Sequence, residues 1–139
     1  LQGLKNFCKN VSINLKKGDI ICLSGDLGSG KTTFSRYLIN FIYQNQNKEP
    51  PSIIKSPSFP ILLTYELNNL EIYHYDLYRI SRSSELIHLN IFEELSNSIT
   101  LVEWPEIILD SLQNYNYFSV NFEIINENMR SLKHNLNFS

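Results

Sequence analysis

An α/β three-layer sandwich, with a central sheet partly parallel and partly antiparallel, is the fold class this sequence predicts. Three observations lead there. A short apolar run, Ile20-Ile21-Cys22-Leu23-Ser24, feeds a glycine-rich loop and then a helical pattern. Strand–loop–helix units of that kind put helices on the faces of a parallel sheet. A second run of the same type, Ile99-Thr100-Leu101-Val102, comes late in the chain. Such runs read as strands buried on both faces. Between the two, segments 61–67 and 70–75 are joined by Asn68-Asn69 and read as a β-hairpin, which adds antiparallel pairing.

Taken in order, Val11-Ser12-Ile13-Asn14-Leu15 alternates apolar and polar residues, the pattern of a half-buried strand. Lys16-Lys17-Gly18-Asp19 is a turn sequence. Residues 32–43 place Phe34, Leu38, Ile39 and Ile42 at helical spacing. Residues 44–58 are polar, carry Pro50, Pro51 and Pro57, and are expected to form a mobile loop. Residues 83–95 are helical in pattern, as two short helices broken near Asn90. Residues 117–125 alternate again and predict a late strand. No repeat and no Pro/Gly/Ser linker divides the chain, so residues 1–139 are expected to form one domain.

Composition narrows the function classes. With 42% hydrophobic and 19% charged residues the chain is globular in type. Net charge is −2 and the longest basic run is Lys16-Lys17, which disfavours direct nucleic-acid binding. No apolar stretch approaches the ~20 residues of a membrane span. No signal peptide is visible, although the chain begins at Leu1, so a cytoplasmic protein with reduced Cys8 and Cys22 is expected. There is no alanine, while asparagine and isoleucine each occur 17 times, a bias of coding composition rather than of function. Glycine occurs only 5 times, and three of the five, Gly25, Gly28 and Gly30, lie within one loop.

That loop, Gly25-Asp26-Leu27-Gly28-Ser29-Gly30-Lys31-Thr32, fits the phosphate-binding pattern GxxxxGK[ST]. Its glycines let successive N–H groups turn inward onto phosphate oxygens, and the helix that follows presents its positive end. Lys31 would reach the β- and γ-phosphates, and the Thr32 hydroxyl would hold Mg²⁺. A P-loop NTPase also needs a carboxylate at the end of a neighbouring buried strand. Glu103 closes the run Leu101-Val102 and is the candidate, as an Mg²⁺ ligand directly or through water. Asp76, one of only four aspartates, follows Ile72-Tyr73-His74-Tyr75. Set among apolar and aromatic neighbours, it would orient or deprotonate an attacking water or hold Mg²⁺ through water, or else pair with Arg79 or cap the next helix. His74 reads as a packed strand histidine rather than a catalytic base.

Four segments occur in sequence: the phosphate loop through Thr33, then Ser56-Pro57-Ser58-Phe59, His74-Tyr75-Asp76-Leu77-Tyr78-Arg79 and Leu101-Val102-Glu103-Trp104-Pro105-Glu106. Together they resemble the bacterial TsaE (YjeE) family over residues 18–106. The resemblance implies a slow Mg²⁺-dependent ATPase of tRNA threonylcarbamoyladenosine synthesis. Its partners would be the TsaD–TsaB pair, which transfers a threonylcarbamoyl group from its adenylate to N6 of adenosine 37 in tRNAs reading ANN codons. ATP binding and hydrolysis would reset that complex, with tRNA met only through it; the chain alone is expected to be a monomer. Residue by residue, the resemblance implies that Gly25, Asp26, Leu27, Gly28, Ser29, Gly30, Lys31, Thr32 and Thr33 bind ATP and that Ser58 matches a switch-loop threonine. It implies Mg²⁺ at Thr32 and Glu103, a hydrolytic role for Asp76, and Trp104 beside the nucleotide or in the core. Asn90 stands where the family has glycine, and asparagine tolerates the left-handed backbone such a turn needs. From Leu109 on the resemblance is loose, carried by Arg130 before a last strand.

Three other readings share the loop. A small-molecule P-loop kinase would close an arginine-bearing lid over the phosphates, yet of four arginines only Arg79 and Arg82 are close in sequence. A regulatory GTPase would need Asn-Lys-x-Asp, and Asn47-Lys48-Glu49-Pro50 has proline in the aspartate's place. An assembly module could hold ATP only as structural glue.

Overall fold

The computed structural model describes residues 2–127 and 129–136. Six strands form one sheet in the order β2-β3-β4-β1-β5-β6. They are β1 (Ile20–Ser24), β2 (Leu62–Leu67), β3 (Leu70–Asp76), β4 (Ser98–Glu103), β5 (Tyr117–Asn126) and β6 (Met129–His134). The four central strands run parallel, and β2 and β6 turn back antiparallel at the edges. The mixed sheet and both hairpin strands around Asn68-Asn69 are as the sequence predicts.

Alternation along the strands sorts the core onto two faces. Ile21 and Leu23 of β1 pack under helices α1 (Gln2–Asn14) and α2 (Lys31–Asn45), with Phe34, Leu38 and Ile39 of α2. Ile20 and Cys22 face the other way, onto Leu86, Ile91, Leu95, Ile108 and Leu112. The second face is covered by short pieces: 3-10 turns at Ser83–Leu89, Leu95–Asn97 and Leu109–Leu112, and the single-turn helix α3 (Ile91–Glu94). Three layers result. Both cysteines are free and buried, one in each core, and burial pushes each thiol up to about 12.

One element is corrected. Val11-Ser12-Ile13-Asn14-Leu15 is not a strand; through Asn14 it is the last turn of α1. The five-residue alternation is a window on a longer 3.6-residue pattern, Leu4, Cys8, Val11 and Leu15, which packs on the α2 side of the sheet. Ser12, the polar position that made the window look like a strand, donates to Lys9 O at 2.7 Å and accepts from Asn45 Nδ2 at 3.0 Å. Between α2 and β2 the polar segment has no regular element, but it is tied at Ile54, which is buried and whose carbonyl accepts from Arg36 Nε at 2.7 Å.

The break expected near Asn90 is there: Asn90 has φ 52 and joins the 3-10 turn to α3. A side chain with a branched β-carbon is strained in that conformation by about 1–2 kcal/mol. Asn90→Gly should therefore be close to neutral in thermal unfolding, and Asn90→Val should lose about that amount.

Candidate phosphate-binding site

β1 delivers the chain into the loop and α2 takes it away. Gly25, Gly28 and Gly30 all have positive φ, at 142°, 76° and 117°. The constraint differs between them. A Cβ on Gly28 would meet nothing within 4 Å, so only the backbone conformation requires glycine there. A Cβ on Gly25 would lie 2.6 Å from the Phe122 carbonyl of β5, so both space and conformation forbid one. Gly28→Ala should cost about 1 kcal/mol and Gly25→Ala clearly more. An equal fall in melting temperature would contradict that ordering.

Lys31 opens α2 and is only 5% exposed. Its Nζ donates to the carbonyls of Gly25 at 2.5 Å and Asp26 at 2.9 Å, and lies 4.1 Å from the centre of the Trp104 ring. Burial lowers its pKa, while Glu103, Asp76, Glu106 and Asp26 pull it back up. The ammonium can meet an anion directly, while the carboxylates beside it suit a divalent cation arriving with that anion. Ser29, 1% exposed, has a hydroxyl with no partner inside the loop.

The carboxylates come from adjacent parallel strands in register, Asp76 of β3 beside Glu103 of β4. The Thr32 hydroxyl donates to Glu103 Oε1 at 2.9 Å, and His74 Nε2 lies 2.6 Å from Glu103 Oε2. Asp76 is 6% exposed and its Oδ1 accepts from Tyr78 N at 2.9 Å, an Asx turn rather than a pair with Arg79. Burial raises its pKa, the Tyr78 amide opposes this, and the Glu103 charge adds to it. Two non-glycine residues beside these carboxylates sit in the left-handed region: Ile61 at φ 72, whose carbonyl accepts from Asp76 N, and Trp104 at φ 58. Such conformations cost of order 1–3 kcal/mol and concentrate at functional sites.

One cavity of about 300 Å³ is lined by Leu27, Gly28, Gly30, Lys31, Thr32, Thr33, Ser56, Ser58, Asp76, Glu103 and Trp104. The predicted site residues thus converge, with three exceptions. Gly25 and Asp26 meet Lys31 through their carbonyls, and Ser29 faces the other side of the loop. Ser58 is exposed, and Arg79, donating to the Ser58 and Phe59 carbonyls, fastens its loop to the end of β3.

Sequence reasoning missed what lies behind the loop. A larger cavity, about 790 Å³, is lined by Leu4 and Phe7 of α1, Phe122 of β5, and Met129, Arg130 and Leu132 of β6. Gly28, Gly30 and Thr33 line both cavities, and Arg130 Nε donates to Gly28 O at 3.2 Å. The helical spacing of Leu4, Phe7, Cys8 and Val11 was the available signal.

The family "Threonylcarbamoyl adenosine biosynthesis protein TsaE" matches residues 1–132, taking in α1 and β5 as well as the loop and its carboxylates. The chain belongs to the TsaE family. Named relatives agree. A "tRNA threonylcarbamoyladenosine biosynthesis protein TsaE" of Rickettsia felis is 42% identical over 127 residues, 91% of this chain and 70% of its own. Proteins of that name from Borreliella burgdorferi and Bacillus subtilis are 37% and 33% identical over 86% and 78% of this chain, and 84% and 64% of theirs. The TsaE family is a P-loop, nucleotide-binding family of tRNA threonylcarbamoyladenosine biosynthesis, consistent with ATP in this site. Among the described residues no helix is long and apolar enough to cross a membrane.

Proposed function

We propose that the protein is a single-domain, Mg²⁺-dependent ATPase that acts as a nucleotide switch on TsaD–TsaB during N6-threonylcarbamoylation of adenosine 37 in tRNAs reading ANN codons. The observation that carries this is the convergence of Lys31, Thr32, Asp76 and Glu103 on one 300 Å³ cavity at the carboxyl ends of parallel strands. Phosphates would enter between the loop amides and Lys31, competing for its ammonium with the Gly25 and Asp26 carbonyls. Among the described residues no three His, Cys, Asp or Glu form a metal cage. Mg²⁺ would therefore arrive with the nucleotide, held by Thr32 and Glu103 together with phosphate oxygens, the usual economy of Mg²⁺ sites. When bound it neutralises phosphate charge. Asp76, beside Glu103 and raised in pKa by burial, is suited to orient the attacking water. The larger cavity behind the loop, with its apolar walls, is the natural seat of the adenosine.

Turnover in isolation should be slow, because none of the arginines lines the 300 Å³ cavity to act as a finger on the γ-phosphate. Arg36, Arg79 and Arg130 bond to backbone carbonyls instead. The same placement argues against the kinase reading, which needs them in a lid. A partner would read the state of the loop 52–59 and of the region around Asp76, on the exposed apolar rim made by Leu27, Phe59 and Tyr78. The test is reconstitution with TsaD, TsaB, tRNA and the threonylcarbamoyl adenylate. Multiple-turnover modification should require both this protein and ATP. Phosphorylation of a small acceptor would revive the kinase, preference for GTP would favour a GTPase, and full-rate modification with a hydrolysis-dead variant would leave only structural glue.

A further inference from the structure

His74 is fully buried in the middle of β3, paired in register with Leu63 of β2 and Leu101 of β4. Alternation puts it on the same face as Ile72 and Asp76, under α2, where Leu101 and Glu103 also point. An apolar side chain would fill that place without burying two ring nitrogens. Here one nitrogen, Nδ1, is buried with no partner, while the other, Nε2, makes the 2.6 Å contact to Glu103 Oε2. A residue kept only for packing does not explain an imidazole with one bare nitrogen. The contact to Glu103 does, because it leaves Oε1 of the same carboxylate on the Thr32 hydroxyl.

We propose that His74 is a positioning residue: its Nε2–H fixes the Glu103 carboxylate so that Oε1 and the Thr32 hydroxyl are preset for Mg²⁺. This rests on the reading of Glu103 as the Mg²⁺-linked carboxylate. The bond costs the carboxylate one of its two oxygens and in return removes its rotational freedom. Bonds to a ligand from behind commonly govern metal affinity by about 10–100-fold. A neutral ring that donates from Nε2 would leave Nδ1 as the lone-pair nitrogen, so no N–H would be stranded on that side.

The experiment follows binding of a fluorescent ATP analogue in EDTA and across a Mg²⁺ titration. His74→Ala should raise the Mg²⁺ half-saturation about tenfold or more, with affinity in EDTA within about twofold of the parent. His74→Gln, which can donate from similar reach, should recover most of the shift. Independently of any variant, long-range nitrogen–proton NMR of the nucleotide-free protein should find the ring proton of His74 on Nε2. A bare Nε2 would overturn the proposal. So would an unchanged Mg²⁺ titration in His74→Ala alongside a shifted one in Glu103→Gln, or equal losses with and without Mg²⁺ that glutamine does not rescue. If Glu103→Gln itself left the Mg²⁺ titration unmoved, the underlying assignment of Glu103 would fall, and the positioning role with it.

Discussion

Replacing Lys31 with alanine should weaken ATP binding at least about a hundredfold, roughly 2.7 kcal/mol, and abolish ATP-dependent tRNA modification. The size follows from where the ammonium sits. It is buried over the Trp104 ring and fastened to two loop carbonyls, with Glu103, Asp76, Glu106 and Asp26 as the charges around it. Without it, a triphosphate would face those carboxylates with no cation of the protein between them. Lys31→Arg should restore little, since a planar guanidinium cannot take the place of a compact ammonium between the Gly25 and Asp26 carbonyls. Equilibrium dialysis with ATP and the reconstituted modification assay measure the two effects. Full-rate modification by Lys31→Ala would end the switch reading.

Asp76→Asn should do something a structural residue would not. Turnover should fall by about 10²–10⁴, the usual contribution of a positioned acid–base group, while ATP affinity stays within a few-fold. At the same time the nucleotide-free protein should become more stable. Burial raises the Asp76 pKa above its unfolded value, so the native state binds this proton more tightly than the unfolded chain does. The folded protein is then stabilised as pH falls through that raised pKa, and destabilised above it, where the buried charge must be carried. Asparagine removes the charge and keeps the acceptor for the Tyr78 amide. Its gain in melting temperature should be full at neutral pH and shrink on acidification through the Asp76 pKa toward about 3.9. Loss of ATP binding in parallel with turnover, or a lowered melting temperature, would make Asp76 structural.

The parts of this molecule visible in its sequence are those in which local chemistry and tertiary role coincide. The phosphate loop needs glycines whatever surrounds it, and β1 and β4, buried on both faces, had to be apolar runs. Asn68-Asn69 suits its turn, where Asn69 has φ 52, and Asn90 suits its own. What was not visible depends on partners distant in the chain. α1 shows its stripe only over its full length, and a five-residue window on it imitates a strand. The Glu103–His74 contact joins residues 29 apart, and nothing local to His74 announces it. The back cavity is built from α1 and the β5–β6 hairpin, with more than a hundred positions separating Leu4 from Arg130.

Gly25 has a consequence for how such a sequence can change. Among the described residues five non-glycine positions have positive φ, and three of them are asparagines, Asn47, Asn69 and Asn90. A coding bias toward asparagine can therefore be absorbed at turns, where this residue is the best substitute for glycine. At Gly28, with open space where its Cβ would be, such a replacement is sterically admissible. At Gly25 it is not, because the Phe122 carbonyl already occupies the place of any Cβ. Nucleotide composition can therefore erode this loop from its tip, but not from its first glycine.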